Sequence, residues 1–285
     1  MDTSTSNAQK SGVDSILEYK EICDEFVFAV GEFFPAKIVA FAYISGTFSY
    51  GGSVKGKSDV DITIVFKKEV GLVDPGYLHG QIKLFIEKYR SIHDRFGYAS
   101  DAIFPGEYVT VMQIDDAILG RGFTINGDGE LFLPTASNEY YLANKEHWYR
   151  AWLSSMAFST FLCGDQGLMV QYKQQAWRTI TLFLLSQYKP PHISSKGLIE
   201  KMLKNENKWE GVGVTARYKT FLERELATVE KVFLDLAIEG FVSPGSLSEE
   251  YEVNLAQVAV WVRETASSLR SNQIRNASFL LETYE

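Results

Sequence analysis

The first third of the chain alternates between helical and strand-like spacing of its apolar residues. Apolar positions recur at helical intervals over 13–34 and 77–96, which predicts two amphipathic helices. The segments 37–45 and 59–66 are rich in β-branched and aromatic residues and predict two strands. The remaining predictions here are a third strand over 97–104, a short helix over 110–120 and a hairpin over 122–134.

The rest of the chain has helical periodicity almost throughout. The predicted helices are 138–164, 166–187, 194–205, 216–240 and 247–271. We therefore predict an α+β protein with three parts: a flexible tail over 1–12, an N-terminal sheet-and-helix domain over 13–134, and a C-terminal helical, bundle-like domain over 135–285.

The charge of the chain narrows the class of partner. It has 28 Lys and Arg against 36 Asp and Glu among 285 residues, for a formal net charge of -8. Because long nucleic acids are bound mainly through basic side chains, this balance argues against such a partner and favours a cationic small molecule or a metal–nucleotide complex. No apolar run is long enough to span a bilayer and no signal peptide is recognised, so we expect a cytoplasmic protein without a membrane partner. The oligomeric state is left open.

The cysteines and histidines carry no metal-binding pattern. Cys23 and Cys163 lack metal-ligand spacing and are expected to be reduced and buried. The four histidines are scattered along the chain and are expected to be ordinary surface or partly buried side chains: His79, His93, His147 and His192.

The most specific signal lies between the first two predicted strands. Gly46 and Thr47 follow the first strand, and Asp59 and Asp61 flank Val60 at the start of the second. Residues two apart on a strand point to the same face, so the two carboxylates lie side by side. Magnesium prefers oxygen ligands, and a glycine followed by a hydroxyl residue lets N–H and O–H groups approach a phosphate. The segment therefore predicts a site for a metal-bound polyphosphate.

Further residues are candidates for the same site. Two-metal catalysis calls for another carboxylate on a neighbouring strand, and Asp101 is favoured for it. Asp101 is alternatively a turn acid before a proline, in which case Glu107 is the third acid. Ser58, beside the acidic pair, is a candidate for phosphate binding, although it is alternatively an ordinary polar loop residue. Lys173, in the helical half, is a further candidate on the basis of its charge.

This arrangement resembles the motif of the nucleotidyltransferase superfamily that includes DNA polymerase beta. Ser45-Gly46-Thr47, a gap over 48–58, and then Asp59-Val60-Asp61-Ile62 match that motif in order and spacing. The run from Gly56 to Asp61 is typical of small bacterial and antibiotic-modifying members. Thr47 departs from the usual Ser or Gly but keeps the hydroxyl. The resemblance covers roughly residues 37–105.

The resemblance implies a fold and an activity. The fold is a mixed β-sheet backed by helices, and Asp59, Asp61 and Asp101 are the acids that hold two Mg²⁺ ions. The activity is transfer of a nucleoside monophosphate, with AMP from ATP favoured, to a hydroxyl of a small molecule such as an aminoglycoside-like antibiotic, with release of pyrophosphate. The nucleoside triphosphate would be bound by the candidates Gly46, Thr47, Ser58 and Lys173.

The helical half is similar in a general way to the substrate-side domain of aminoglycoside and lincosamide nucleotidyltransferases. Two alternatives stay open. The acceptor is a partner protein, as in toxin–antitoxin members of the superfamily, or the chain is a non-catalytic nucleotide-binding module.

Overall fold

The structure is a computed structural model that describes residues 7–101, 105–120, 124–125, 131–132, 145–205, 216–246 and 250–282. The chain divides into two compact units, each built from three separate stretches. The sheet unit comprises Met1–Met112, Phe158–Lys173 and Met202–Glu225, and the helical unit comprises Gln113–Ala157, Gln174–Lys201 and Leu226–Glu285. The domain boundary predicted between 134 and 135 lies outside the described residues.

The elements of the described residues are as follows. The helices are α1 (Asn7–Phe33), α2 (Gly46–Ser49), α3 (Pro75–Phe96), α4 (Val111–Ile118), α5 (Lys145–Ala157), α6 (Gln166–Tyr188), α7 (Ser195–Asn205), α8 (Ala216–Ile238) and α9 (Leu255–Glu282), with a 3₁₀ turn over Lys68–Leu72. The strands are β1 (Val39–Ile44), β2 (Ile62–Phe66), β3 (Glu107–Thr110), β4 (Thr124–Ile125), β5 (Leu131–Phe132), β6 (Thr160–Gly164), β7 (His192–Ser194), β8 (Val242–Pro244) and β9 (Glu250–Val253).

The sheet unit is built on a mixed four-stranded sheet with the order β3-β2-β1-β6. Strand β1 pairs antiparallel with β2 and with β6, whereas β2 pairs parallel with β3. All residues of the two central strands are buried, as expected for strands covered on both faces. An α+β chain with a mixed sheet is therefore confirmed.

Helices α1 and α3 cover one face of this sheet. Phe26 of α1, Phe85 of α3 and Ile62 of β2 belong to one hydrophobic cluster. Helix α3 is defined at its N-terminus by the Asp74 side chain, which accepts a hydrogen bond from the Tyr77 amide at 2.7 Å. Because Ile62 and Ile64 point into this cluster, the alternate residues of β2 point to the opposite face of the sheet.

Three strands of the sheet unit differ from the sequence-based prediction. The second strand was predicted over 59–66 but begins at Ile62, so Asp59 and Asp61 lie just before it. The third strand was predicted over 97–104, but the described part of that segment is not a strand and β3 begins at Glu107. The reason is local: Gly97 ends α3 in the left-handed conformation (φ 74), and the Ala99 amide donates to the Ser58 carbonyl at 3.0 Å. Residues 102–104 lie outside the described residues.

The third difference concerns the segment predicted to be one helix over 138–164. Helix α5 ends at Ala157, and Thr160–Gly164 forms β6, the edge partner of β1. Gly164 has φ 98, and a Cβ there would lie 2.6 Å from the Ala40 carbonyl oxygen, so a glycine permits this close pairing. The four-stranded sheet therefore includes a strand from the half of the chain predicted to be helical. Residues 138–144 lie outside the described residues.

The helical unit contains two small antiparallel sheets besides its helices. Strands β4 and β5 form the predicted hairpin, and a three-stranded sheet has the order β7-β9-β8. Strand β9 and the start of α9 at Leu255 replace the front of the helix predicted over 247–271. Within the described parts of the chain, no helix combines the length and apolar character needed to cross a membrane.

Candidate active site

The end of β1 and the start of β2 bring Gly46 against Asp61. The Ser45 amide donates to the Asp61 carbonyl at 3.0 Å, next to the last strand pair, Ile44 with Ile62. Gly46 has φ 65, and a Cβ there would overlap Oδ2 of Asp61 and lie 3.0 Å from its Cγ. A glycine is therefore required at 46 both for the backbone conformation and for the carboxylate that lies over it.

The turn that begins at Gly46 is held by its own hydrogen bonds and by a distant arginine. The Ser49 hydroxyl donates to the Gly46 carbonyl at 2.9 Å, and the Gly52 amide donates to the Thr47 carbonyl at 2.9 Å. Arg217 donates to the Phe48 carbonyl, and its guanidinium lies over the ring of Tyr19 at 3.9 Å from the centroid. Gly46 and Thr47 thus occupy a fixed turn at the end of β1.

The loop before the acidic pair is fixed in the same way. The Ser58 hydroxyl accepts a hydrogen bond from the Val54 amide at 2.9 Å, and the Ser58 amide donates to the Val54 carbonyl at 2.8 Å. The Gly56 amide donates to the Gly97 carbonyl at 2.8 Å, which joins the loop to the end of α3. The structure places Ser58 beside Asp59 as a turn-closing residue, and its contact with phosphate stays a prediction.

Asp101 acts on the charge of Asp59, and all three acids expected from the sequence act on a common neighbour. Asp59 is half-buried, and its pKa is raised by burial and by the negative charge of Asp101, while backbone hydrogen bonding and His93 act in the opposite direction. Tyr89 is buried, and its pKa is raised by burial and by the charges of Asp59, Asp61 and Asp101. All three carboxylates therefore lie within electrostatic reach of one buried phenol.

The acids do not form a complete protein-only metal cage. In the described ranges, no group of three or more His, Cys, Asp or Glu side chains is placed to hold a metal ion. Magnesium, however, is commonly bound by one or two carboxylates together with substrate phosphates and water. The pair Asp59 and Asp61, with the second carboxylate exposed beside the Gly46 turn, fits that mode of binding.

Glu107, the alternative third acid, is the first residue of β3, which pairs with β2. It pairs with Thr63 across the parallel strands, and the Thr63 hydroxyl donates to Glu107 Oε2 at 3.0 Å. Thr63 is two residues beyond Asp61 and therefore shares its face of the sheet. Burial raises the pKa of Glu107 to about 7, although the Thr63 hydrogen bond opposes the shift. The carboxylate on the neighbouring strand is thus Glu107, and Asp101 precedes that strand.

His93 contributes to the site, although the sequence assigned it no role. It is 1% exposed on α3, and its Nε2 accepts a hydrogen bond from the amide of Val60, between the two acids, at 2.9 Å. Its Nδ1 lies 2.9 Å from the Tyr89 carbonyl. The signal in the sequence is weak, because it consists only of a histidine on the apolar stripe of a predicted helix, four residues after a tyrosine.

Lys173 lies in a buried ion pair of the sheet unit. Its ammonium donates to Glu225 Oε1 and to the Ser159 carbonyl, both at 2.6 Å, and the lysine is 5% exposed. Burial lowers the pKa of Lys173 to about 8, while the carboxylate of Glu225 opposes the shift. Because the ammonium donates to two internal protein groups, Lys173 is not included in the proposed phosphate site.

We predict that Glu107 makes the free energy of unfolding decrease as the pH rises from about 4.5 to about 7. The folded chain holds the Glu107 proton more tightly than the unfolded chain does, so this contribution is present at low pH and is lost as the folded carboxyl ionises. It amounts to about 2–3 kcal/mol. Urea unfolding of the wild type and of Glu107→Gln at pH 5 and pH 8 measures it. Identical pH dependence in the two chains would contradict the burial of this carboxyl.

We predict that Lys173→Met destabilises the protein by about 3 kcal/mol, because it removes the buried one of the two cations that pair with the fully buried carboxylate of Glu225 and leaves only Arg224. The double variant Lys173→Met/Glu225→Leu should recover most of this loss, since it removes both buried charges. Urea unfolding measures both effects, and calorimetry with Mg²⁺ and ATP measures nucleotide affinity. If the double variant folds but no longer binds the nucleotide, Lys173 takes part in phosphate binding after all.

Comparisons with known proteins identify no relative. No family model matches the chain, and neither the curated proteins nor the solved structures contain a match. Any assignment of function therefore depends on the residues and geometry described above.

Proposed function

We propose that the protein is a Mg²⁺-dependent nucleotidyltransferase that moves a nucleoside monophosphate, with AMP from ATP as the favoured donor, to a hydroxyl group of a small molecule. The observation that carries this proposal is the contact between the Asp61 carboxylate and the Gly46 turn, with Asp59 next to it. A phosphate bound at the turn would lie beside two oxygen ligands for a divalent cation. The spacing of this motif in the sequence supports the same assignment.

Each residue of the site has a separate task in the proposed reaction. Gly46 and Thr47 bind the triphosphate, and Asp59 and Asp61 hold Mg²⁺. When bound, the metal neutralises charge on the phosphates and favours departure of pyrophosphate. The acceptor hydroxyl oxygen forms a bond to the α-phosphorus as the bond from that phosphorus to the β-phosphate oxygen breaks.

The proton of the acceptor hydroxyl needs a base in this site. Glu107 is suited to take it, because a carboxyl with a pKa of about 7 combines an available ionised form with useful basicity at neutral pH. Asp101, which acts electrostatically on Asp59, is suited to a second cation near the pair. These are the roles we assign to the two candidates for the third acid.

The acceptor is proposed to be cationic. The formal net charge of -8 and the acidic site favour a positively charged small molecule such as an aminoglycoside-like antibiotic. Incubation with labelled ATP distinguishes this from transfer to a partner protein. Label in a small-molecule product supports the proposal, whereas label in protein supports the alternative acceptor.

We predict that Asp59→Asn and Asp61→Asn each reduce turnover by about 100-fold or more, because each removes an oxygen ligand with its charge from the metal. Turnover is measured as pyrophosphate release from the four nucleoside triphosphates with a panel of hydroxyl-bearing antibiotics and metabolites. The control is Asp24→Asn, which neutralises a surface carboxylate whose side chain is 64% exposed. Wild-type turnover in either site variant would contradict the assignment. Absence of both pyrophosphate release and Mg²⁺-dependent ATP binding in the wild type would do so as well.

We predict that Gly46→Ala lowers turnover by about 100-fold, because the new Cβ would displace the Asp61 carboxylate. Gly56→Ala is the matched control: Gly56 has φ 72, but a Cβ there would meet no atom within 4 Å. Both variants lose about 1–2 kcal/mol of stability from the left-handed backbone, as urea unfolding should show. Equal loss of turnover in both would mean that the contact with Asp61 has no part in the reaction.

A further inference from the structure

His93 connects the acidic pair to the hydrophobic core through two hydrogen bonds. Its side chain comes from α3, where its Nδ1 lies 2.9 Å from the carbonyl oxygen of Tyr89, one helical turn earlier. On the other side of the ring, Nε2 lies 2.9 Å from the backbone nitrogen of Val60. The ring also packs on Tyr89, with centroids 4.0 Å apart. These contacts hold the imidazole in one orientation.

The two partners determine where the imidazole carries its proton. A backbone amide can only donate, so Nε2 must be the acceptor for Val60, and a backbone carbonyl can only accept, so Nδ1 must carry the hydrogen for Tyr89. This is the neutral ring with its proton on Nδ1. Burial lowers the pKa of His93, which is consistent with a neutral imidazole, while the Tyr89 carbonyl and Asp59 act in the opposite direction.

Both the side chain and the backbone amide of Val60 are held by contacts. Its side chain is 1% exposed and belongs to the core cluster of the sheet unit. Strand β2 begins only at Ile62, so the amide of Val60 lies before the strand ladder, and His93 supplies its partner. Since Val60 lies between Asp59 and Asp61, fixing this peptide unit fixes the directions in which both acidic side chains leave the backbone.

We propose that His93 is a positioning residue for the acidic pair: its neutral imidazole holds the Val60 amide and thereby sets the spacing at which Asp59 and Asp61 share a divalent cation. This inference rests on the proposed function, in which those two acids are the metal ligands. His93 itself touches neither the cation nor the nucleotide. It acts through the backbone between the ligands, as residues behind a metal site commonly do.

Two amide substitutions separate the two hydrogen bonds of His93. The carboxamide of glutamine reaches about as far as Nε2, so His93→Gln keeps an acceptor for the Val60 amide. The carboxamide of asparagine reaches about as far as Nδ1, so His93→Asn keeps a donor for the Tyr89 carbonyl but leaves Val60 without its partner. The two variants have the same functional group and differ by one methylene, which makes them a matched pair.

The measured quantities are Mn²⁺ affinity by electron paramagnetic resonance, nucleotidyl transfer, and hydrogen exchange of the Val60 amide by nuclear magnetic resonance. We expect His93→Asn to weaken Mn²⁺ binding by about tenfold or more, and His93→Gln to remain within about threefold of the wild type. The Val60 amide should exchange at least about tenfold faster in His93→Asn than in the other two chains. Nitrogen chemical shifts of the wild-type ring should show the proton on Nδ1.

The outcomes distinguish this inference from the proposed function. Equal Mn²⁺ affinity in both variants, despite faster exchange at Val60 in His93→Asn, would overturn the positioning role. Equal exchange at Val60 in all three chains would overturn the hydrogen bond on which that role depends. A wild type that binds no Mn²⁺ and transfers no nucleotide would contradict the proposed function. The hydrogen bond between the Val60 amide and His93 would then be tested by hydrogen exchange alone.

Discussion

The backbone hydrogen bond from Ser45 to Asp61, at 3.0 Å, is the constraint on which the candidate site depends. It extends the pairing of the two central strands beyond Ile44 and Ile62 and closes the connection that contains both the turn and the acids. Closing such a loop costs conformational entropy, and the internal hydrogen bonds at Val54, Gly56 and the turn after Gly46 offset part of that cost. The site is thus fixed by main-chain geometry before any ligand binds.

The same constraint forces charge into a place where it is unfavourable. Burial and the neighbouring Asp101 both raise the pKa of Asp59, so its ionised form is destabilised in the chain without a cation. The buried groups behind it, Tyr89 and His93, are favoured in their neutral forms, and the effect of His93 on the pKa of Asp59 is smaller than that of burial. A divalent cation would relieve this repulsion, as expected where perturbed carboxylates lie at a functional site.

Hydrophobic periodicity and motif spacing predicted the elements that depend mainly on residues close together in the chain. Helices α1 and α3, strand β1 and the position of Gly46 beside Asp61 followed from periodicity and motif spacing. Strand β6 was missed because five residues after a helix carry too little alternation to be recognised, and it becomes a strand only by pairing with β1. The role of His93 and the Lys173–Glu225 pair could not be predicted either. His93 contacts a residue 33 positions away in the chain, and Lys173 and Glu225 are 52 positions apart.

The structure gives different surroundings to Asp101 and Glu107, the two alternatives for the third acid. From the sequence, Asp101 and Glu107 competed for one position. In the fold they have different surroundings: Asp101 acts on the charge of Asp59, whereas Glu107 lies on the next strand with a threonine hydroxyl and a pKa of about 7. A group that must hold a cation benefits from remaining ionised, and a group that must accept a proton benefits from a pKa near the working pH. In the proposed reaction the two acids therefore have different tasks, with Asp101 beside a cation and Glu107 as the proton acceptor.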